Sequence, residues 1–564
     1  MPQPPDLSAR MAQTLFASGQ DVLRVLAALP ASPAASPALT PEISVALKAL
    51  QQEFAQRHAR LWQTREAASD TPSPMDARFS APAWASSPFY DHLRRAYLLN
   101  SEFLQRCLAL LPIEEDKARQ KLQFATRQCI DALSPANFAA TNPEFIQTAL
   151  ATQGASITTG IQNLLADLAR GRISMSDETA FEVGRNLATT AGAIIFENEV
   201  IQLIQYAPLT AHVGTRPLVI IPPCINKYYI LDLQPENSLV RQLVAEGHTV
   251  FLVSWRNPQA AQGTWTWDHY IEHGVLAALT VARDISRSAQ VNALGFCVGG
   301  TLLTTALAVA RARGENPVAS LTLLTTLLDF SDPGELGVFI DEAAVAARET
   351  SIGQGGLMTG QELATVFSSL RANDLVWPYV VGNYLKGSKP AAFDLLYWNA
   401  DSTNLPGPFA AWYLRHLYLE NRLCQPGQLS VCGMPIDLGK VDMPTFLYAS
   451  REDHIVPWQS AYRSRHLLAG PTTFLLGASG HIAGVINPPA KNRRSYWCTP
   501  DQAQSEAEQW LASAREQPGS WWPAWFAWLR EFSGKPRKSK EKPGNTRYPV
   551  IEFAPGRYVC EKAS

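Results

Sequence analysis

Seven short runs, nearly all apolar or β-branched, most constrain how this chain can fold. They are Ala193–Phe196, Leu218–Ile221, Val250–Trp255, Val291–Phe296, Ser320–Thr326, Thr445–Ala449 and Thr473–Leu476. Near-continuous apolarity over so few residues marks strands buried on both faces, not a sheet with one wet side. Several runs are far enough apart to hold a crossover helix, so the pattern predicts an α/β fold with a doubly wound, mostly parallel sheet. More than a hundred residues separate Thr326 from Thr445, far beyond an ordinary connection. Residues 327–441 are therefore expected to form a cap inserted over the strand ends.

The chain upstream of the runs has a different character. Leu15, Val22, Leu26 and Leu29 recur at helical spacing until Pro30, while 30–41 and 67–82 are rich in Pro, Ala and Ser and read as linkers. Residues 1–90 are thus expected to be Pro-rich and partly disordered. Residues 91–175 read as a helical domain with stops at Pro112, Ser134-Pro135 and Gly171, and 176–564 as the sheet-bearing domain. Within 534–547, six Lys and Arg face only Glu541. That composition favours a solvated flexible stretch, with contact to anionic surfaces as the alternative.

Composition removes several classes of function. Charged residues make up 17% and hydrophobic residues 46%, so the chain can bury a large core and is not globally disordered. A net charge of −2 lacks the basic excess that nucleic-acid binding draws on. The eight cysteines include no Cys-x-x-Cys pair, which argues against a disulfide framework or zinc ribbon and for a reducing cytoplasm. Met11 to Leu29 is too interrupted for a secretory signal, and no run of about 18 apolar residues exists for a membrane span.

The chemistry concentrates at Leu294-Gly295-Phe296-Cys297-Val298-Gly299-Gly300. It follows the run Val291–Phe296 and opens a helical segment, Thr301–Arg313, with Gly314 placed to end it. Strand, G-x-nucleophile-x-G turn and helix together are the context of a nucleophile elbow, which lifts one side chain above the sheet. Here that side chain is the thiol of Cys297, and the helix start would favour its thiolate. A sheet of the α/β-hydrolase type should then supply an acid and a histidine after later strands. Asp453 stands 156 residues beyond Cys297 and His481 a further 28 residues on, with Glu452 and His454 as local competitors. An oxyanion hole would use the backbone N–H of Val298 and one from the loop after Leu218–Ile221. Pro222 and Pro223 have none to give, so Cys224 or Ile225 is the donor, Ile225 being favoured. Cys224 itself reads as packing.

Two rival motifs carry less. His269-Tyr270-Ile271-Glu272-His273 matches H-x-x-E-H, but it lies between two sheet strands, where a covering helix is expected. The glycines at 353, 355, 356 and 360 lack the Lys-Ser/Thr of a phosphate loop and read as a hinge in the cap.

From about Phe79 onward the sequence resembles the polyhydroxyalkanoate synthases, bacterial enzymes that polymerise 3-hydroxyacyl-CoA thioesters into storage polyester. The resemblance rests on Ile221-Pro222-Pro223-Cys224-Ile225-Asn226-Lys227-Tyr228-Tyr229-Ile230-Leu231-Asp232-Leu233-Gln234-Pro235, the elbow, and the run from Leu370 to Trp377. It continues through Arg451-Glu452-Asp453-His454-Ile455-Val456, Gly480-His481-Ile482-Ala483-Gly484 and Gly519-Ser520-Trp521-Trp522-Pro523. Length and the Phe-Cys-Val elbow look most like the single-subunit class I, which favours short-chain substrates. The resemblance implies Cys297 as acyl carrier, His481 as base and Asp453 as its acid partner. It implies a homodimer at the surface of cytoplasmic polyester granules, and no cofactor beyond the coenzyme A released from substrate. A cysteine-dependent thioesterase and a non-catalytic granule-surface protein are the competing readings. In the cap, Trp377, Tyr397 and Trp398 are suited to excluding water.

Overall fold

The computed structural model describes residues 40–63, 76–500, 502 and 504–563. The helix expected over 15–29 and the linker stretches at 30–39 and 67–75 lie outside them. The chain divides into two compact units, one of Met1–Ile173 with Ala372–Ser388 and one of Ser174–Arg371 with Lys389–Ser564.

In the first unit, helices Pro41–Gln63, Pro88–Ala109, Asp116–Ala132, Pro143–Ala151 and Ala155–Arg170 surround a small core of Phe79, Trp84, Tyr97, Ile130 and Ala136. Of residues 1–90, expected to be Pro-rich and partly disordered, 41–63 and 76–90 carry helical segments. Pro41, Pro82 and Pro88 begin helices there, because a proline at the first helical position gives up only an N–H that has no intrahelical partner. The segment 372–388, expected in the cap, belongs to this unit. A Cβ on Gly160 would lie 2.1 Å from the Tyr384 carbonyl oxygen, so only glycine lets helix Ala155–Arg170 approach so closely. The Tyr384 hydroxyl donates to Asp167 at 2.7 Å. Trp377 goes with this segment. Leu165 and Leu168 on the same helix remain 60% and 67% exposed.

The second unit is built on an eleven-stranded sheet. Its strands are β1 (Gly192–Glu197), β2 (Ile201–Tyr206), β3 (Leu218–Ile221), β4 (Val250–Trp255), β5 (Val291–Phe296), β6 (Val318–Leu324), β7 (Thr445–Ser450), β8 (Thr472–Gly477), β9 (Ser495–Cys498), β10 (Arg515–Pro518) and β11 (Glu552–Phe553). They lie in the order β10-β9-β8-β7-β6-β5-β3-β4-β2-β1-β11. The block β4-β3-β5-β6-β7-β8 is parallel throughout, and antiparallel strands extend it at both edges. All seven apolar runs are strands of this sheet. Every residue of β3, β4 and β5 is buried, which is why they carry no alternation.

Strand order reverses direction between β3 and β5, and crevices for ligands open at such a point, beyond the carboxyl ends of the strands. Pairing of Ile221 with Gly295 brings the loop after β3 beside the elbow after β5. Pairing of Ser450 with Gly477 sets the loops after β7 and β8 side by side. Helix Val298–Ala312 runs back from the elbow, buried through Ala310. It closes with Glu315 N–H to Ala310 and Gly314 N–H to Arg311, a Schellman motif with Gly314 at φ +79°.

The insertion folds around helices Glu342–Ile352, Gly360–Leu370, Asp394–Ala400 and Gly407–Trp412, the last running on as a π-helical stretch, Tyr413–Leu419. The glycines expected to hinge it are fastened: Leu357–Met358 pairs with Leu405–Pro406, and Gly407 donates to the Gly356 carbonyl. The basic stretch 534–547 is not a loose tail either. Pro536–Lys538 pairs with His212–Gly214, Arg537 and Lys540 donate to the Ser286 and Ile285 carbonyls, and Gly544 donates to Gln205. Those carbonyls end helix Ala277–Ser286, where cations are favoured. No helix among the described residues is long and apolar enough to cross a membrane.

One close backbone approach in this scaffold lies at the elbow. A Cβ on Gly299 would stand 2.3 Å from the Ile221 oxygen and 2.5 Å from the Pro222 oxygen. Gly299→Ala should cost about 1–3 kcal/mol, read as a lower urea midpoint with unchanged slope.

Candidate active site

Cys297 sits between β5 and its helix with φ 55° and ψ −129°. That is a sparsely populated conformation for a side-chain-bearing residue, and it persists only where its surroundings enforce it. Here they do. The Cys297 N–H donates to Leu324 O at 2.9 Å, its carbonyl takes the Gly300 N–H at 2.8 Å, and Thr326 Oγ1 donates to the same oxygen at 3.3 Å. Gly295 and Gly300 are needed because a Cβ on either would collide, with Gly300 Cα at 2.3 Å and Thr326 Oγ1 at 2.1 Å respectively. The side chain is left partly exposed, as an elbow requires.

Asp453 and His481 meet beside it. His481 Nδ1 lies 2.6 Å from Asp453 Oδ2, with Asp453 fully buried and His481 7% exposed at the side chain. The other carboxylate oxygen of Asp453 takes the N–H groups of Ile455 and Val456, each at 2.9 Å. Both oxygens are thus committed, and the carboxylate is fixed as well as desolvated. The imidazole stacks on Phe296 at 5.8 Å between ring centres, and its second partner is the Cys297 side chain. Burial pulls the imidazolium down, but the Asp453 carboxylate and the Cys297 sulfur more than offset it and hold His481 well above its ordinary value.

The competitors point elsewhere. Glu452 is exposed. His454 has its Nδ1 unpartnered, its carbonyl accepts from Glu335, and burial holds its imidazole below the ordinary value.

The loop after β3 is clamped almost residue by residue. Trp255 Nε1 donates to Pro222 O, Thr403 Oγ1 donates to Cys224 O, the Asn226 N–H donates back to Thr403, and Trp398 Nε1 donates to Lys227 O at 2.6 Å. Asn226 adopts φ 64°, which asparagine tolerates better than most residues. Among the described residues, the Ile225 and Val298 N–H groups meet no acceptor, and the Cys224 N–H meets none either. Cys224 is buried, and burial pushes its thiol far up.

Three groups at the site were not foreseen from sequence. Tyr413 and Tyr418 lie close enough to feel the Cys297 sulfur. Burial first and that sulfur's charge second hold Tyr418 up; for Tyr413, burial and then Tyr418 precede the sulfur. Phe330 meets both rings, at 6.2 and 5.0 Å. A spacing of five puts no α-helical neighbours together, but both tyrosines ride the π-helical stretch, whose i→i+5 bonding has no sequence signature. Lys227 is the third, 3% exposed, donating to Glu561 O. Burial lowers its ammonium to about 8 against the opposing pull of Asp401. Tyr397 and Trp398 sit to one side: Tyr397 packs on Phe181 and Trp398 serves the loop.

The H-x-x-E-H segment forms no metal centre. Its Tyr270 and Ile271 pack inward, Glu272 pairs with Arg313, and His269 engages Thr266. No cluster of three or more metal-ligating side chains occurs among the described residues.

Comparison with known proteins agrees with this geometry. The family described as "Poly-beta-hydroxybutyrate polymerase (PhaC) N-terminus" matches residues 75–243, and the alpha/beta hydrolase fold matches 217–488. The Poly(3-hydroxyalkanoate) polymerase subunit PhaC of Cupriavidus necator is 56% identical, over 91% of this chain and 88% of its own. The protein of the same name from Rhizobium meliloti is 40% identical over 86% and 80%, and Poly(3-hydroxyalkanoate) polymerase 2 of Ectopseudomonas oleovorans 40% over 87% of each. With an α/β-hydrolase sheet, a cysteine at its elbow and relatives this similar over nearly their whole length, the chain belongs to the poly(3-hydroxyalkanoate) polymerase family.

Proposed function

We propose that this enzyme polymerises (R)-3-hydroxyacyl-CoA, with 3-hydroxybutyryl-CoA as its unit, through an acyl-cysteine on Cys297 and with release of coenzyme A. The observation that carries the reading is the Cys297–His481–Asp453 array at the switch point of the sheet. His481 takes the thiol proton, the thiolate attacks the thioester carbonyl, and the tetrahedral intermediate collapses with the C–S bond to coenzyme A breaking and His481 returning the proton to the departing sulfur. The free N–H groups of Val298 and Ile225 are the donors to the developing oxyanion. In the second half, His481, oriented by Asp453, takes the proton of a 3-hydroxyl group as its oxygen attacks the acyl-cysteine; the C–S bond breaks, the proton returns to the Cys297 sulfur, and the polymer gains one ester.

Sulfur suits this cycle. Exchange of one thioester for another is nearly isoenergetic, so the acyl group stays activated until the hydroxyl arrives. A serine would release that activation at the first step. Water is the competing nucleophile, and the aromatic groups Phe330, Tyr413 and Tyr418 beside the thiol support its exclusion. The exposed leucines of helix Ala155–Arg170 support work at a polyester granule surface in the cytoplasm, and the family resemblance supports a homodimer.

Purified enzyme given (R)-3-hydroxybutyryl-CoA should release coenzyme A, followed with a thiol reagent, while insoluble polyester accumulates. Cys297→Ala should lower release by at least about 10³-fold. Soluble 3-hydroxybutyrate as the sole product would identify a thioesterase, and undiminished release by Cys297→Ala would remove the sulfur from the mechanism.

Asp453→Asn should lower kcat by roughly 10⁴-fold, because the imidazole loses its enforced tautomer. It should also move the His481 titration down, since burial then acts without the carboxylate. With the folded value above the unfolded one near 6.5, the couple stabilises fully below that pH and loses its effect as pH rises through the folded value. The stability gap between wild type and Asp453→Asn should therefore narrow as pH rises through that window, as measured by urea unfolding. A gap that widens would mean that His481 is not held charged.

A further inference from the structure

The parallel strands also have amino ends, and a second feature lies there. Thr249 directly precedes β4, and Ile285 and Ser286 end the helix that leads to β5. They border a cavity whose other walls include Tyr206, His248, Arg537 and Lys540, with a volume of about 400 Å³ counting its open mouth. Cys297 is at the opposite end of β5, so six residues of strand, about 20 Å, separate the two places.

We propose that this cavity is a binding site for a phosphate group that carries a proton. Polar side-chain atoms in its wall are buried without a partner. His248 and Ser286 are each 2% exposed, and His248 Nε2 and Ser286 Oγ have no partner. Buried polar atoms left so are costly unless a ligand or water satisfies them. Two cations stand at the same place. Arg537 Nη1 donates to Ser286 O at 2.8 Å and Lys540 Nζ to Ile285 O at 3.3 Å, which leaves other donors on each. Neither meets a carboxylate: what acts on Arg537 is burial, and what acts on Lys540 is burial followed by Arg537 and Arg287. The nearby Asp284 pairs with Arg547 instead.

The histidine narrows the ligand. Ser533 Oγ donates to Leu529 O at 3.0 Å and so offers a lone pair to His248 Nδ1 at 3.4 Å. Nδ1 therefore holds the ring proton and Nε2 is an acceptor. Burial, and then Arg530, hold this imidazole down to about 4, so it is neutral at neutral pH. An anion seated here needs unprotonated oxygens for Arg537, Lys540 and the Ser286 hydroxyl, and one O–H for His248. Hydrogen phosphate and a monoprotonated phosphate ester have both. Sulfate has no proton to give.

Calorimetric titration of the full-length enzyme in phosphate-free buffer tests this. Inorganic phosphate should bind saturably at one site per chain, and Ser286→Ala and Lys540→Gln should each weaken it by about tenfold, as expected for a lost bond to an anion. Sulfate at equal ionic strength should give no saturable heat. Coenzyme A release by both variants should match wild type, since neither residue is near Cys297. A glycerol phosphate arm separates the sources: binding of both compounds points to an ester ligand, and binding of inorganic phosphate alone points to the free ion. No saturable binding of either, equal binding of sulfate, or variants that bind as wild type does would each overturn the proposal and leave a water-filled cavity.

Discussion

The conformation of a single residue, Cys297, holds this site together. A positive φ at a cysteine is costly, and the fold compensates by removing side chains all around it. Gly295, Gly299 and Gly300 let three backbones converge to distances that any Cβ would forbid. The same convergence does chemical work. Gly299 brings the helix start against Ile221 and Pro222, and so fixes Val298 N–H relative to the loop that carries Ile225 N–H. Nucleophile and oxyanion donors are therefore set by one packing event, not by two adjustable loops.

Electrostatics then depend on burial. Asp453 is inaccessible and has both oxygens taken, so its negative charge is delivered almost wholly to His481. In a wetter setting the couple would be screened and the imidazole would titrate near its usual value. The fold thus favours the protonated form of His481. Parallel pairing of β7 and β8 makes this possible, because it delivers the acid and the histidine to the same edge from chain positions 28 residues apart.

What the sequence disclosed follows from the same physics. Strands buried on both faces carry an unbroken apolar signal, so β3, β4 and β5 are legible to the residue. Apart from β1, the antiparallel edge strands are not: β2 reads Ile-Gln-Leu-Ile-Gln-Tyr, and β11 is two residues long. Cys297, Asp453 and His481 stood out because each follows a legible strand in a fixed order. Tyr413 and Tyr418 did not, since the π-helical stretch that aligns them is decided by tertiary packing. Prolines misled in the opposite sense. Pro41 and Pro82 looked like breaks because they close Pro-, Ala- and Ser-rich stretches, and only packing shows that helices begin there. The basic stretch misled through its charge: Arg537 and Lys540 are matched by helix-end carbonyls, which composition does not count.

The clamping of the loop after β3 limits how the site can open. Its anchors are Trp398 and Thr403 from the insertion, and Glu561 from a segment more than three hundred residues away in sequence, which takes the Lys227 ammonium. Lys562 ties that segment to Asp401, which also takes the Tyr229 hydroxyl. Displacing 398–404 to admit a thioester would undo the fixed position of Ile225 and expose a lysine with 3% exposure, so entry by that route costs catalytic geometry. Among the described residues, Phe330, Tyr413 and Tyr418 make no hydrogen bond to the loop; Phe330 meets both tyrosines ring against ring, and the tyrosines also share a side-chain hydrogen bond. Parting Phe330 from the tyrosine pair would break none of the hydrogen bonds that clamp the loop. On the function proposed above, an opening on that side would admit acyl-CoA and a growing chain while the Val298 and Ile225 N–H groups keep their places.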